Sequence, residues 1–246
     1  MSTLAVKKCW EIYEKHYANV PTSDAVYRRL IKTYTSSDAI VFDAGCGRHL
    51  EYVKFVAPLV KFTIGGDLVT SFTSLEKGAP YSVFRADLTR IPLLNEAVTT
   101  IICRSVFEHL EEPLVTLTEF NRILKPNGRL IFLTPNLYDY ISLLARLTPH
   151  RFHQWVLHHF LRWEADDVFP TLYRLNTEGT IRDAMDRTGF TCEQLLFVSH
   201  YPAYLMFSTL LFRIGILYEK LIRQNDFLRY IRGSIIGVFK KMHAPS

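Results

Sequence analysis

Apolar positions along this chain follow two regimes. Between residues 39 and 134, short apolar or β-branched runs alternate with longer amphipathic stretches. Ala39–Phe42, Val60–Gly65, Tyr81–Ala86, Val98–Cys103 and Arg129–Thr134 read as buried strands. His49–Val56, Leu68–Lys77 and Pro113–Leu124 read as the helices between them, with Pro58 ending the first. The "KPNG" stretch, Lys125–Gly128, should stop the last of these with a turn. Ahead of this region, Trp10, Tyr13 and Tyr17 recur at helical spacing, and Pro21 closes that segment. Thr22 or Ser23 can cap a second helix running to about Tyr34. After Asn136 the alternation lapses. Residues 138–163 are largely apolar and helical in pattern, Glu178–Arg187 reads as a helix and Cys192–Val198 as a strand. Residues 202–230 read as one long helical stretch, and Ser234–Phe239 as a closing strand.

Strands alternating with helices predict an α/β fold in which helices cover both faces of a mostly parallel sheet. Seven strands are expected, with helical insertions after strands 5 and 6. The pattern shows no repeat or linker, so one domain is expected over 1–246. Residues 1–36 would form a helical lid, 37–136 the ligand-binding core, and 137–246 the acceptor-side helices and closing strands. In such sheets ligands bind beyond the carboxyl ends of the strands. Asp43, Asp67, Asp87 and Arg104 each follow a strand and would gather at that edge.

Composition narrows the class. The 246 residues are 48% hydrophobic, enough for one substantial core, and 22% charged, which argues against disorder. The net charge of +5 comes from Lys and Arg scattered along the chain without a basic run, so no nucleic-acid partner is expected. Four cysteines lie far apart and form no CxxC pair, which argues against a disulfide framework or zinc cluster and suits a reducing cytoplasm. The N-terminus carries no signal-peptide pattern, so a cytoplasmic protein is expected. His150, His153, His158 and His159 do not share one helical face, and no metal is expected.

The candidate chemistry centres on "IVFDAGCGRH" at 40–49. Gly45 and Gly47 fit the start of a dinucleotide fingerprint, but Leu50 stands where its last glycine belongs. No G-K-[ST] follows, so a P-loop fails too. Asp43 would repel a pyrophosphate and attract a cation. S-adenosylmethionine suits this layout, because it lacks phosphate and carries an ammonium and a sulfonium. Asp43 can hold its amino-acid end, and the glycines let the backbone approach closely. Asp67 can accept from both ribose hydroxyls. Asp87 can accept from the adenine amino group, with Leu88 adding apolar contact and a backbone N–H.

On these residues the chain resembles the class I S-adenosylmethionine-dependent methyltransferases, over about residues 38–136. "VFDAGCG", "GGDL", "RADLTRIPL", "IICRSVFEHL" and "ILKPNGRLIFLTPN" match the family's segments in order and spacing. Within the class it is most similar to the small-molecule group that includes the ubiquinone and menaquinone methyltransferases. The resemblance implies a Rossmann-like fold and S-adenosylmethionine as cofactor. It implies a cofactor site of Asp43, Gly45, Cys46, Gly47, Asp67, Leu68, Asp87, Leu88, Arg104 and Ser105. His49 departs from the family, which often has a third glycine there. Cys46 reads as a small filler between the glycines, not a nucleophile.

Other candidates carry two readings each. His109 is either a general base or a packed histidine. Tyr13 and Tyr17 either cover the cofactor and substrate or pack in the core, and His153 could touch substrate. The expected acceptor is a small, fairly hydrophobic molecule, with O-methylation first. C- or N-methylation of a lipid or quinone-like acceptor, an RNA or protein methyltransferase, and a non-enzymatic cofactor-binding partner subunit are the alternatives. The apolar, basic-flanked stretch 201–232 is expected first to pack in the core or in a homodimer, and second to contact an anionic membrane.

Overall fold

The computed structural model describes residues 3–69, 71–72, 78–140, 142–143 and 170–242. Its strands are β1 Ile40–Ala44, β2 Phe62–Asp67, β3 Tyr81–Arg85, β4 Val98–Arg104, β5 Leu124–Pro135, β6 Phe190–Val198 and β7 Ser234–Lys241. They form one seven-stranded sheet in the order β3-β2-β1-β4-β5-β7-β6. β1 pairs in parallel with β2 and β4, β2 with β3, and β4 with β5. The strand order reverses between β1 and β4, which opens a crevice at their carboxyl ends. Val41, Phe42, Ile101 and Ile102 are fully buried, as strands covered on both faces require.

The described helices are α1 Thr3–Tyr17, α2 Ser23–Tyr34, α3 Glu51–Val56, α4 Pro113–Ile123, α5 Glu178–Arg187 and α6 Thr209–Gln224. Their starts follow sequence signals. Thr22 Oγ1 accepts from the Ala25 N–H at 3.1 Å, and proline opens α4. Thr177 and Thr180 form a capping box at the head of α5.

Four expected boundaries differ. The helix expected from His49 begins at Glu51, because Leu50 takes a left-handed conformation (φ 57°). Leu50 is held there by burial against Cys46 and Val53, and His49 is an exposed turn residue. The helix expected over 68–77 is absent at Leu68, Val69, Ser71 and Phe72, and its other positions lie outside the described residues. The "KPNG" turn is an excursion inside β5. The pairing moves from Val98↔Leu124 to Thr100↔Arg129, so extra residues loop out, with Asn127 at φ 63°. The long helix expected over 202–230 is broken into α6 and flanking 3-10 turns at Ala203–Leu205 and Asp226–Ile231. Ser208 caps the start of α6, and Asn225 accepts from the Phe227 N–H at 3.0 Å beyond its end. Positions 141 and 144–163 of the preceding apolar stretch lie outside the described residues.

The chain divides into two compact units. The larger draws on the described parts of Tyr27–Thr134, Thr171–Leu196 and Ile236–Ser246. Its core includes Phe42, Phe120, Phe132, Phe190 and Phe239. The buried Tyr27 hydroxyl there donates to the Ile131 carbonyl (3.3 Å) and accepts from the Cys103 N–H (2.9 Å). The smaller unit draws on the described parts of Met1–Val26, Pro135–Pro170 and Phe197–Ile235. Cys9, Tyr17, Phe212 and Ile216 form its apolar centre, joining α1 to α6.

Candidate functional site

At the end of β1 the Gly45 and Cys46 N–H groups both donate to the Gly66 carbonyl, at 2.8 and 3.3 Å. They carry the β1–β2 pairing one step past the strand and start the turn. Gly45 (φ 75°) and Gly47 (φ 65°) then take left-handed conformations that suit glycine. A Cβ on Gly45 would overlap the Val106 side chain, whereas one on Gly47 would meet nothing within 4 Å. Open space therefore lies over Gly47.

Asp67, at the end of β2, fixes this loop. Its Oδ2 accepts from the Gly47 N–H at 2.7 Å and its Oδ1 from the Val69 N–H at 3.1 Å. Carboxylate oxygens carry spare lone pairs, so both can still accept from a diol. Asp43 differs: it is buried, and its Oδ2 has no hydrogen-bond partner among the described residues. Burial, then the nearby Asp67 charge, pushes its pKa up to about 8, against the opposing pull of Arg104. Such an orphaned acceptor calls for a donor or a cation.

Asp87 follows β3 and is exposed. Its Oδ1 accepts from the Thr89 N–H (2.9 Å) and Oγ1 (2.7 Å), which hold its carboxyl below the usual range. Leu88 beside it is half-buried, and Leu68, after Asp67, is 47% exposed. Arg104 ends β4 with its guanidinium 4.0 Å from Glu51 and 5.5 Å from the Tyr52 ring centre. Ser105 follows at φ 54°, anchored by its N–H to the Leu133 carbonyl at 2.8 Å. A non-glycine residue in that conformation marks local strain of the kind found at binding sites. Cys46 is buried. Burial and the neighbouring acids push its thiol well up, so it is a filler and no nucleophile. These residues follow the carboxyl ends of β1, β2, β3 and β4, along one edge of the sheet in the larger unit.

Residues 15–195 match the family model described as a methyltransferase domain. The chain belongs to this methyltransferase family. No curated protein matches it. Among solved structures, it is similar to an S-adenosylmethionine-dependent methyltransferase from Mesorhizobium loti. That match has 14% identity, covers 89% of this chain and 97% of that one, and has a TM-score of 0.59. It is also similar to the complex between the Haloferax volcanii Trm112 methyltransferase activator and a methyltransferase, at 15% identity over 98% and 96%, with a TM-score of 0.59. A third is the geranyl diphosphate C-methyltransferase of Streptomyces coelicolor A3(2), in complex with Mg2+, geranyl diphosphate and S-adenosyl-L-homocysteine. It shows 14% identity over 89% and 78%, with a TM-score of 0.57. These identities speak to the fold, which is the Rossmann-like methyltransferase fold.

The remaining candidates of this methyltransferase fall in different places. His109 closes a 3-10 turn, Phe107–His109, after β4, with Nε2 3.9 Å from Glu108 Oε1. Tyr13 and Tyr17 belong to the smaller unit. They stack on each other at 5.4 Å between ring centres, and Tyr201 meets Tyr13 edge-on at 4.7 Å. His153 lies outside the described residues. Sequence reading missed Glu108. It is buried, its Oε2 accepts from Thr134 Oγ1 (3.2 Å), and Asn176 Nδ2 donates to the same Thr134 oxygen (2.7 Å). Its main-chain carbonyl accepts from the Leu172 and Tyr173 N–H groups at 2.6 and 3.1 Å, so this residue ties the 171–176 segment to the end of β4. Burial pushes its carboxyl upward. Its signal was the acid in "FEHL", masked by the adjacent histidine.

Proposed function

We propose that this methyltransferase draws on S-adenosylmethionine and methylates a small, apolar acceptor, with a hydroxyl oxygen the first choice of nucleophile. The observation that carries the cofactor assignment is the buried Asp43 oxygen without a partner, set beside Asp67 and the open space over Gly47. That donor set fits a zwitterionic, phosphate-free nucleoside. S-adenosylmethionine supplies a methyl group on a sulfonium, a leaving group that needs no protonation.

The chain's own residues bind and orient. Asp43 receives the ammonium and Arg104 faces the carboxylate of the amino-acid end. Asp67 accepts from the ribose hydroxyls while holding Gly47 in place. Asp87 and the Leu88 N–H take the adenine edge. Alignment of the acceptor supplies most of the rate, because a fixed near-attack geometry removes translational and rotational freedom beforehand. His109 is the proposed base for an acceptor that must lose a proton.

A hydrophobic acceptor is supported by α6. Leu210, Ile214, Leu217 and Leu221 form an exposed stripe along it, with Leu210 69% and Leu217 68% exposed. Arg213 and Lys220 are exposed beside the stripe. A stripe of this kind suits an anionic lipid surface, where greasy acceptors partition. Among the described residues no helix is long and apolar enough to cross a membrane.

The central test is calorimetry with S-adenosylmethionine and S-adenosylhomocysteine. Native protein should bind both, and Asp67→Ala should lose at least about tenfold in affinity, the size of one or two lost charge-assisted hydrogen bonds. Absence of binding by the native chain, or unchanged binding by Asp67→Ala, would refute the assignment. Transfer of a labelled methyl group to protein or RNA in extracts, with none to small molecules, would replace the acceptor class.

A further inference from the structure

The smaller unit holds a buried polar cluster that methyl-donor binding does not use. Glu219 sits on the inner face of α6, in line with Phe212, Ile216 and Ile222. It is 0% exposed, and neither of its oxygens has a hydrogen-bond partner among the described residues. Asp139, 1% exposed, lies in the turn after β5. His200 follows β6 and places Nε2 3.5 Å from Asp139 Oδ2. One ligand atom from each of the three residues falls within 4.8 Å of the other two. An ionised group buried without compensation costs several kcal/mol. An acid on the apolar stripe of an amphipathic helix breaks the rule that shapes the rest of α6, and such breaks collect at functional sites.

The cluster is built and not merely crowded. Asn136, fully buried, donates from Nδ2 to the Tyr230 and Arg232 carbonyls at 2.7 and 2.8 Å, and from its N–H to the Gly233 carbonyl at 2.9 Å. The Asp139 N–H donates back to the Asn136 carbonyl at 3.2 Å. The His200 ring lies against Gly233, where any Cβ would overlap it. Arg232 donates to the Ile222 and Arg223 carbonyls at the end of α6 and to the Phe197 carbonyl of β6, at 3.2, 3.3 and 3.4 Å. Asn136 and Arg232 therefore fasten together the three elements that carry Asp139, His200 and Glu219. That is the outer support a fixed ligand set needs.

Two more groups face the same problem. The Tyr17 and Tyr140 hydroxyls are buried without hydrogen-bond partners among the described residues. The two Glu219 oxygens and the two hydroxyls thus lie buried with hydrogen-bonding capacity unused among the described residues. A cation among them would supply the missing partner.

The geometry points to a divalent metal site in which Asp139, His200 and Glu219 each give one ligand. Water fills the open positions, and the Tyr17 and Tyr140 hydroxyls serve as partners for that water. Adjacent ligands of an octahedral ion with bonds of about 2.1 Å lie about 3 Å apart and opposite ones about 4.2 Å. A triangle no wider than 4.8 Å closes onto an ion when each ligand moves by about an ångström or less. One imidazole with two carboxylates suits a first-row ion such as Mn2+ or Zn2+ better than Ca2+ or Mg2+, which favour all-oxygen sets.

The test uses the full chain, stripped with a chelator and titrated with MnCl2 and with ZnCl2 in calorimetry. No methyl donor is present, so the result stands apart from the methyl-transfer reading. Saturable uptake of one ion per chain is expected, with a broadened Mn2+ paramagnetic resonance signal and a raised thermal midpoint. Glu219→Gln and Asp139→Asn should each weaken binding at least about tenfold. Glu193→Gln, on the surface pair with Arg129, should leave it unchanged. An unchanged circular-dichroism spectrum for Glu219→Gln shows that the loss is not unfolding. Failure of the native chain to take up either ion overturns the site, as does a Glu219→Gln variant that binds Mn2+ like the native protein.

Discussion

Gly45 and Gly47 share a backbone conformation but not a neighbourhood. Gly45→Ala meets both the left-handed penalty and the Val106 side chain, so a loss of at least about 2 kcal/mol is expected in denaturant unfolding. Gly47→Ala meets open space, and the conformational penalty alone should cost about 1 kcal/mol. Its larger effect should be on cofactor affinity, because the added methyl enters the space over the loop. A Gly45→Ala protein as stable as Gly47→Ala would contradict this division. Asp43 makes a pH prediction. Its folded carboxyl keeps a proton up to about pH 8, while the unfolded one loses it near 4. Over that window the folded state binds more protons. The stability this gives is full below about pH 4 and is lost as pH rises through 8. Binding an ammonium reverses the preference, so cofactor uptake at pH 7 should release protons and tighten towards pH 8. Calorimetry in two buffers of different ionisation enthalpy reads this directly, and Asp43→Asn should abolish the release. Asp43, Asp67 and Asp87 were legible in the sequence because each closes an apolar run, a local signal. Glu108 was not, since only its burial between Thr134 and the 171–176 segment sets it apart from a surface acid.

At the scale of elements, α6 has two faces with different tasks. Its inner face packs Phe212 and Ile216 on α1, and its outer face exposes Leu210, Ile214, Leu217 and Leu221. Leu217→Glu combined with Leu221→Glu should abolish co-sedimentation with phosphatidylserine vesicles while leaving the thermal midpoint unchanged. Native protein that ignores the vesicles would remove the membrane contact. A dimer that this double variant dissolves would assign the stripe to a second copy of the chain. The helical pattern over 202–230 was legible, but its breaks were not, because Ser208 and Asn225 act as caps only where the chain turns. Leu50 teaches the same lesson. Its type argues against a left-handed conformation, and burial against Cys46 and Val53 overrides that preference. His49 consequently lies in an exposed turn outside α3.

For the whole molecule, a ligand that binds only the folded state must stabilise it. S-adenosylhomocysteine at a hundred times its dissociation constant should add about 2.7 kcal/mol and raise the thermal midpoint. Asp67→Ala, binding at least about tenfold more weakly, should gain no more than about half as much at the same concentration. The sequence by itself determined the alternation of strands and helices, the loop after β1 and the acids that close the first three strands. These follow from hydrophobic period and turn chemistry, which act over a few neighbouring residues. Only the tertiary structure decided which buried polar groups meet. Asp139, His200 and Glu219 come from three elements far apart in the chain, and nothing local distinguishes a surface glutamate on α6 from one facing inward beside two other ligands. Long-range packing sets that difference.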